Sequence, residues 1–126
     1  MKQKTKSPGK NRKRRYNAPN HKRNKFFHAK LIDDLRVEHG IRRIGIREGD
    51  HVMVIRGEFK EVEGKVSKVD RKKVRIFIEG VQIEKTGGSS FDYGIRPSDV
   101  IITKLNLKKD KYRKNIIDRK QKIEFE

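Results

Sequence analysis

Between Asp50 and Glu79 the chain alternates apolar and polar residues in three bursts, "DHVMVIR" (50–56), "GKVSKV" (64–69) and "KVRIFIE" (73–79). Period-two alternation sends successive side chains to opposite faces of an extended strand, so each burst has one apolar face, and Val74, Ile76 and Ile78 share one. The "DRKK" stretch (70–73) is a short turn between the second and third strands, with Asp70 at a favoured first position. The segment "VQIEKTGGSSFDYGI" (81–95) then reads as a strand, a glycine-serine tip and a returning strand. A closing strand, "RPSDVIITKL" (96–105), is entered through Pro97. Short strands joined by tight turns favour a small barrel, because closing a sheet on itself removes its exposed edges.

Upstream the period changes. From about Asn24 to His39, Phe27, Leu31 and Leu35 recur every four residues, and Gly40 stands where a helix would end. This predicts one short amphipathic helix, with Phe26 and Ile32 widening its buried face and both phenylalanines used for packing rather than base stacking. Downstream, "LKKDKYRKNIIDRKQKI" (107–123) has helix propensity, with Ile116 and Ile117 as its main apolar pair, and should be frayed in isolation. The organisation expected is a basic arm (1–23), a short helix (24–40), a barrel (41–106) and a basic C-terminal extension (107–126).

Only 32% of the 126 residues are hydrophobic and 41% are charged, too few apolar side chains to fill a core along the whole length. The formal charge is +18, and it is unevenly placed. Residues 1–30 hold 12 Lys or Arg and no acid, whereas residues 31–103 hold 14 basic against 13 acidic residues. Residues 104–122 carry nine basic and two acidic residues. Ends of this composition cannot offset chain entropy by burial, and like charge at this density is held near a folded body most cheaply when a polyanion supplies counter-charge. The first 25 residues show no apolar stripe of a membrane-surface helix, and no apolar run approaches the roughly 20 residues that span a bilayer, so membrane insertion is not expected. No hydrophobic segment follows the basic N-terminus as in a secretory signal. Zero cysteines exclude disulfides and cysteine-based zinc sites and fit a reducing compartment.

Catalysis finds no constellation. His21, His28, His39 and His51 lie 7, 11 and 12 residues apart, which gives no i, i+4 ligand pair. Asp33 and Asp34 are adjacent and diverge around a helix. The "TGGSS" tip lacks the lysine and the strand-to-helix setting of a phosphate loop. Neither an enzyme, a metal nor a cofactor is expected.

The stretch "GDHVMVIRGEFKEVEGKVSKVDRKKVRIFIEGV" (49–81) resembles the KOW motif of ribosomal proteins and transcription elongation factors, with Gly49, Asp50, Gly57, Lys60, Gly64 and Lys65 in family order. With "KNRKRRYNAPNHKR" (10–23) as a basic arm and "GIRPSDVIITKLNL" (94–107) as a closing strand, the chain is similar to the archaeal and eukaryotic form of the large ribosomal subunit protein twenty-four family over roughly residues 10 to 120. The resemblance implies a mainly β fold, an SH3-like barrel with extensions, and a structural, non-enzymatic role. It further implies binding of large-subunit rRNA near its 5′ end, a place outside the subunit beside the polypeptide exit tunnel, and support of subunit assembly. The partners implied are that rRNA, neighbouring ribosomal proteins and nascent chains or exit-tunnel factors, in the cytoplasm and without homo-oligomers. A transcription elongation factor or a basic SH3-like DNA-binding protein are the alternatives, although the former carry a larger folded domain ahead of the motif.

The RNA-binding residues expected are Lys10, Arg12, Lys13, Arg14, Arg15, Tyr16, His21, Lys22 and Arg23 of the arm. Arg56, Gly57, Lys60, Gly64 and Lys65 join them around the first barrel loop, and Lys108, Lys109, Arg113 and Lys114 in the extension. Gly57 and Gly64 would either let backbone amides approach a phosphate or serve only the turn. Glu61 departs from the motif, which has a glycine there. A glutamate resists positive φ and meets phosphate with the wrong charge, so either it points away from RNA, toward Lys60 or Lys65, or the loop binds less intimately.

Overall fold

A computed structural model describes the backbone of residues 5–125 and the side chains as far as Gln121. Seven strands form one curled mixed sheet, a half-barrel of the SH3-like kind: β1 (His28–Leu31), β2 (Arg43–Gly45), β3 (His51–Val54), β4 (Glu63–Asp70), β5 (Arg75–Glu84), β6 (Ser90–Ile95) and β7 (Val100–Lys104). Their order is β2-β1-β7-β3-β4-β5-β6, and β1 alongside β7 is the parallel pair. Among the described residues four α-helices accompany them, α1 (Pro8–Tyr16), α2 (Asn20–Arg23), α3 (Asp33–His39) and α4 (Lys111–Phe125), with 3₁₀ turns at Asn24–Phe27 and Pro97–Asp99.

The three alternating bursts form β3, β4 and β5 as expected, and Val74, Ile76 and Ile78 are all buried. Asp70 supports the β4–β5 turn by accepting from the Lys72 and Lys73 amides at 3.1 and 3.2 Å. Strand β5 continues through Gly80 to Glu84, so the segment read as a separate strand at 81 is its distal part, with a register shift to β6 between Phe77 and Gln82.

The single helix expected from 24 to 39 is corrected. Asn24–Phe27 is a 3₁₀ turn, His28–Leu31 is strand β1, and only Asp33–His39 is α-helical, ending at Gly40 with φ +68° as the sequence predicts. Phe27, Ala29 and Leu31 are all buried and alternate with exposed His28 and Lys30. Phe27 and Leu31 fit a period of two as well as a period of four, and Ala29 between them is the discriminating residue. Pairing with β2 on one side and β7 on the other satisfies backbone groups that a four-residue stretch of helix could satisfy only locally.

Helix α4 is fastened to the barrel by Ile117, which joins the core, and by a buried ion cluster. Arg113 is only 2% exposed and Asp50 not at all. The guanidinium grips Asp50 with two hydrogen bonds, Nη1 to Oδ2 at 2.6 Å and Nη2 to Oδ1 at 2.7 Å. It also donates through Nε to Asp110 Oδ2 at 2.8 Å and through Nη2 to the Asn106 carbonyl at 2.9 Å. Asp50 accepts in addition from the Arg47 and Asn106 amides, each at 3.0 Å. Arg113, expected on RNA from the sequence, has its donors spent inside the fold, where a buried charge must be matched. Desolvation alone would raise the Asp110 pKa, but its hydrogen bonds to the Arg113 backbone and side chain, with the nearby Arg47 charge, hold it below the ordinary carboxylate range. Desolvation likewise works against the Arg113 charge, yet the two carboxylates outweigh it and raise its pKa.

Candidate nucleic-acid interface

The basic arm is drawn onto the barrel as helices α1 and α2. Helix α1 begins with Pro8 in its first turn and ends in Lys13, Arg14 and Arg15, cations that suit the negative end of a helix dipole. It buries no residue, so its cations remain available. The tether is Arg23, expected on RNA but largely spent on the fold. Its Nε donates to the Ala18 carbonyl at 2.7 Å and its Nη2 to the Tyr16 carbonyl at 2.6 Å. Its Nη1 reaches the Arg71 and Lys72 carbonyls of the β4–β5 turn at 3.0 and 2.8 Å. One guanidinium thus ties the end of the arm to a distant hairpin. The Arg71 guanidinium returns a hydrogen bond to Asn24, and Arg15 stacks over Phe26 with its carbon 5.4 Å from the ring centre.

Between α1 and that turn lies an open cleft of about 650 Å³ lined by Arg12, Arg15, Tyr16, Arg23, Lys72, Lys73, Val74, Arg75 and Arg96. Seven of these nine residues are cationic and none is acidic. Val74 in its floor holds φ at +55°, a conformation that costs a β-branched residue on the order of 1–3 kcal/mol. A second hollow, lined by Asn11, Arg14, Arg15, Phe26 and Arg96, continues it along α1. A third, containing Arg56, Gly57, Phe59, Arg75, Tyr93 and Arg96 together with the carboxylates Glu58 and Asp99, continues it to the β3–β4 loop. Arg96 lines all three, and the surface from arm to loop is continuous through it.

This arrangement sorts the residues expected from the sequence. Arg12, Arg14, Arg15 and Tyr16 converge, with Tyr16 72% exposed. Arg56 and Gly57 stand at the far end, and Lys60 is exposed on the same loop. Lys10, Lys13, His21 and Lys22 are exposed on α1 and α2 but line none of these three hollows. Lys108 and Lys109 face a separate hollow beside Arg47 and Arg71, and Lys114 is exposed on α4. Lys72, Lys73, Arg75 and Arg96 are additions that the sequence reading does not single out. Their signal is present in "DRKKVR" and in "IRP", but a turn and a strand entry give no direction to those charges.

The two loop glycines part company. Gly57 has φ +92°, and a Cβ built there would meet nothing within 4 Å, so its backbone is open to a ligand. Gly64 lies within β4, where a Cβ would come 2.6 Å from Ile78 Cγ2 and 2.7 Å from the Glu79 carbonyl oxygen. Its absent side chain permits the close approach of β5, and Lys65 beside it is exposed and paired with His51 in β3. Glu61 does adopt positive φ, +72°, contrary to expectation. Its amide donates to the Val54 carbonyl at 2.8 Å while the Val54 amide donates to the Val62 carbonyl at 3.0 Å, so two residues oppose one. This is a β-bulge whose first position ordinarily takes a left-handed glycine. The bulge explains the motif's glycine by turn geometry, independent of any ligand.

The family that unites the eukaryotic L26 ribosomal proteins with their archaeal L24 counterparts matches residues 5–120. The chain is 45% identical over 120 residues to the large ribosomal subunit protein uL24 of Korarchaeum cryptofilum, covering 95% of this chain and 91% of that protein. It is 48% identical over 107 residues to the uL24 of Pyrobaculum islandicum, covering 85% and 86%. With the curled barrel, the Gly49-Asp50 corner clamped by Arg113 and the basic surface around Arg96, the chain belongs to this family of eukaryotic L26 and archaeal L24 ribosomal proteins.

Proposed function

We propose that this protein is a structural, non-enzymatic constituent of the large ribosomal subunit in the cytoplasm, and that it holds large-subunit rRNA near its 5′ end. The observation that carries the reading is the continuous surface around Arg96, where α1, the β4–β5 turn and the β3–β4 loop gather cations, with no carboxylate in the cleft between α1 and the turn. Such a surface binds a phosphate backbone, and arginines recognise phosphate in bidentate fashion. Arg12, Arg15, Lys72, Lys73 and Arg96 take the phosphates in this reading, Tyr16 offers a ring for an unstacked base, and Gly57 admits the backbone at the loop. The protein acts as a monomer among neighbouring ribosomal proteins and supports assembly by tying RNA segments to a rigid barrel. The test is sedimentation: the full chain should travel with large subunits through a high-salt gradient, and recovery at the top of the gradient would defeat the reading.

The β5–β6 hairpin carries the other half of the proposal, a position on the outside of the subunit beside the polypeptide exit tunnel. Phe91 is 41% exposed on β6, outside the three hollows around Arg96, and the tip from Glu84 to Ser90 holds a single cation, Lys85. An exposed aromatic with little positive charge suits nascent chains or exit-tunnel factors better than rRNA. Replacing residues 86–90 with Asn-Gly should leave incorporation intact and abolish crosslinks from that tip to nascent chains. Loss of incorporation would make the tip an rRNA contact.

A further inference from the structure

The residues between 31 and 103 are nearly neutral in sum, yet the fold separates their charges. At the β2 edge of the sheet, His28, Lys30, Arg36, Arg42, Arg43 and Lys120 line an open cleft of about 930 Å³ bounded by β1, α3 and α4. Among the described residues no carboxylate lines it, and it shares no residue with the Arg96 surface. The carboxylate paired with one of these cations, Asp33, stands 3.7 Å from Arg36 with its side chain 94% exposed. Among the described residues the Arg42 and Arg43 guanidiniums have no hydrogen-bond acceptor, so their donors are free for a ligand. Helix α4 closes the cleft by setting Lys120 Nζ 3.4 Å from the Arg43 carbonyl and Gln121 Nε2 2.8 Å from the His39 carbonyl. Apart from the exposed Asp33 beside Arg36, no described carboxylate compensates these cations, an arrangement that favours a bound polyanion.

We propose that this β2-edge cleft is a second, separate RNA-phosphate site, so that the protein bridges two RNA segments, one on the Arg96 surface and one here. The proposal rests on the rRNA-binding reading above and adds a site to it. Planar arginine forks paired with lysines match the phosphates of an RNA strand, and the absence of a deep apolar floor argues against a small-molecule ligand.

His28 supplies a reporter. Its ring packs beside Gly45 on the facing strand, and desolvation, followed by the charges of Lys120, Arg43 and Lys25, lowers its pKa below the ordinary imidazole value. Lys30 and Arg42 add like charge on the same cleft. Phosphate bound among these cations would relieve the repulsion, so RNA binding raises the His28 pKa back toward the ordinary imidazole value.

The experiment uses the full chain and a 12-nucleotide oligouridine, with His28 followed by NMR and stoichiometry by calorimetry. Two oligonucleotides should bind each chain, and the His28 pKa should rise on saturation. Arg42→Gln/Arg43→Gln/Lys120→Gln should bind one, with a salt slope lower by about 2 to 3 from the three lost phosphate contacts. Arg12→Gln/Arg15→Gln/Arg96→Gln should also bind one but keep the His28 response. The wild-type titration needs no variant, so an unmoved His28 at saturation overturns the second site even if the triple variant misfolds. One bound oligonucleotide, lost on changing Arg96 and its partners, overturns it while leaving the first site standing. Failure of the wild-type chain to bind RNA at all refutes the reading on which both depend. Displacement from His28 by oligoglutamate but not by RNA would assign the cleft to an acidic protein segment and refute the proposal.

Discussion

Replacing Arg113 with methionine separates two roles that the sequence alone leaves joined. Methionine preserves most of the packed length but removes the charge, leaving Asp50 fully buried with two short hydrogen bonds, 2.6 and 2.7 Å, unmade. Breaking a buried pair from one side costs about 3–5 kcal/mol, because the remaining charge is uncompensated. That is a large fraction of the 5–15 kcal/mol or so that stabilises an ordinary domain. With a urea dependence of about 1.5 kcal/mol per molar, a loss of about 4 kcal/mol moves the unfolding midpoint down by roughly 2.5 M. Changing Asp50→Asn on the Arg113→Met background removes the stranded charge while keeping an acceptor for the Arg47 or Asn106 amide, and should recover about 1–2 kcal/mol. The assay is equilibrium urea unfolding of the isolated protein. A loss below about 1 kcal/mol, together with a lowered salt slope for RNA binding, would return Arg113 to the RNA surface and refute the buried-cluster argument.

Three further outcomes are expected. Glu61→Gly relieves a left-handed conformation worth about 1–2 kcal/mol and adds about 0.5–1 kcal/mol of glycine chain entropy, so the midpoint should rise slightly, whereas Glu61→Ala should gain nothing; a destabilised glycine variant would contradict the bulge assignment. Arg96→Gln should lower the salt slope of RNA binding by about 0.7 to 0.9; an unchanged slope would remove Arg96 from the interface. Asp110, whose folded pKa is depressed, contributes stability that is present above the ordinary carboxylate range and is lost as pH falls through its folded value. Acid melting curves of Asp110→Asn should therefore be flatter than those of the wild-type chain, and identical curves would show that Asp110 gains nothing from Arg113 and Arg47.

The sequence by itself determined the elements whose signal is local. Strands β3, β4 and β5 follow from alternation over a few residues, the β4–β5 turn from Asp70, and the end of α3 from Gly40, because each depends on side-chain direction or backbone freedom within one turn. The motif residues likewise identified the barrel and its family. Tertiary structure decided what depends on partners far along the chain. Phe27 and Leu31, four residues apart, serve a helix or a strand equally well until β2 and β7 offer backbone groups to pair with. Arg113 looks like any basic residue of a charged tail until Asp50, 63 residues away, is placed beside it. Arg23 is the same case, its donors taken by carbonyls of the arm and of a remote turn. Charge shows the difference most plainly: a sum over residues 31–103 is close to zero because it carries no direction, while the folded sheet sends Lys72, Lys73, Arg75 and Arg96 to one surface and Arg42 and Arg43 to another. Electrostatic fields depend on where charges stand in space, and the sheet's strand order sets those places.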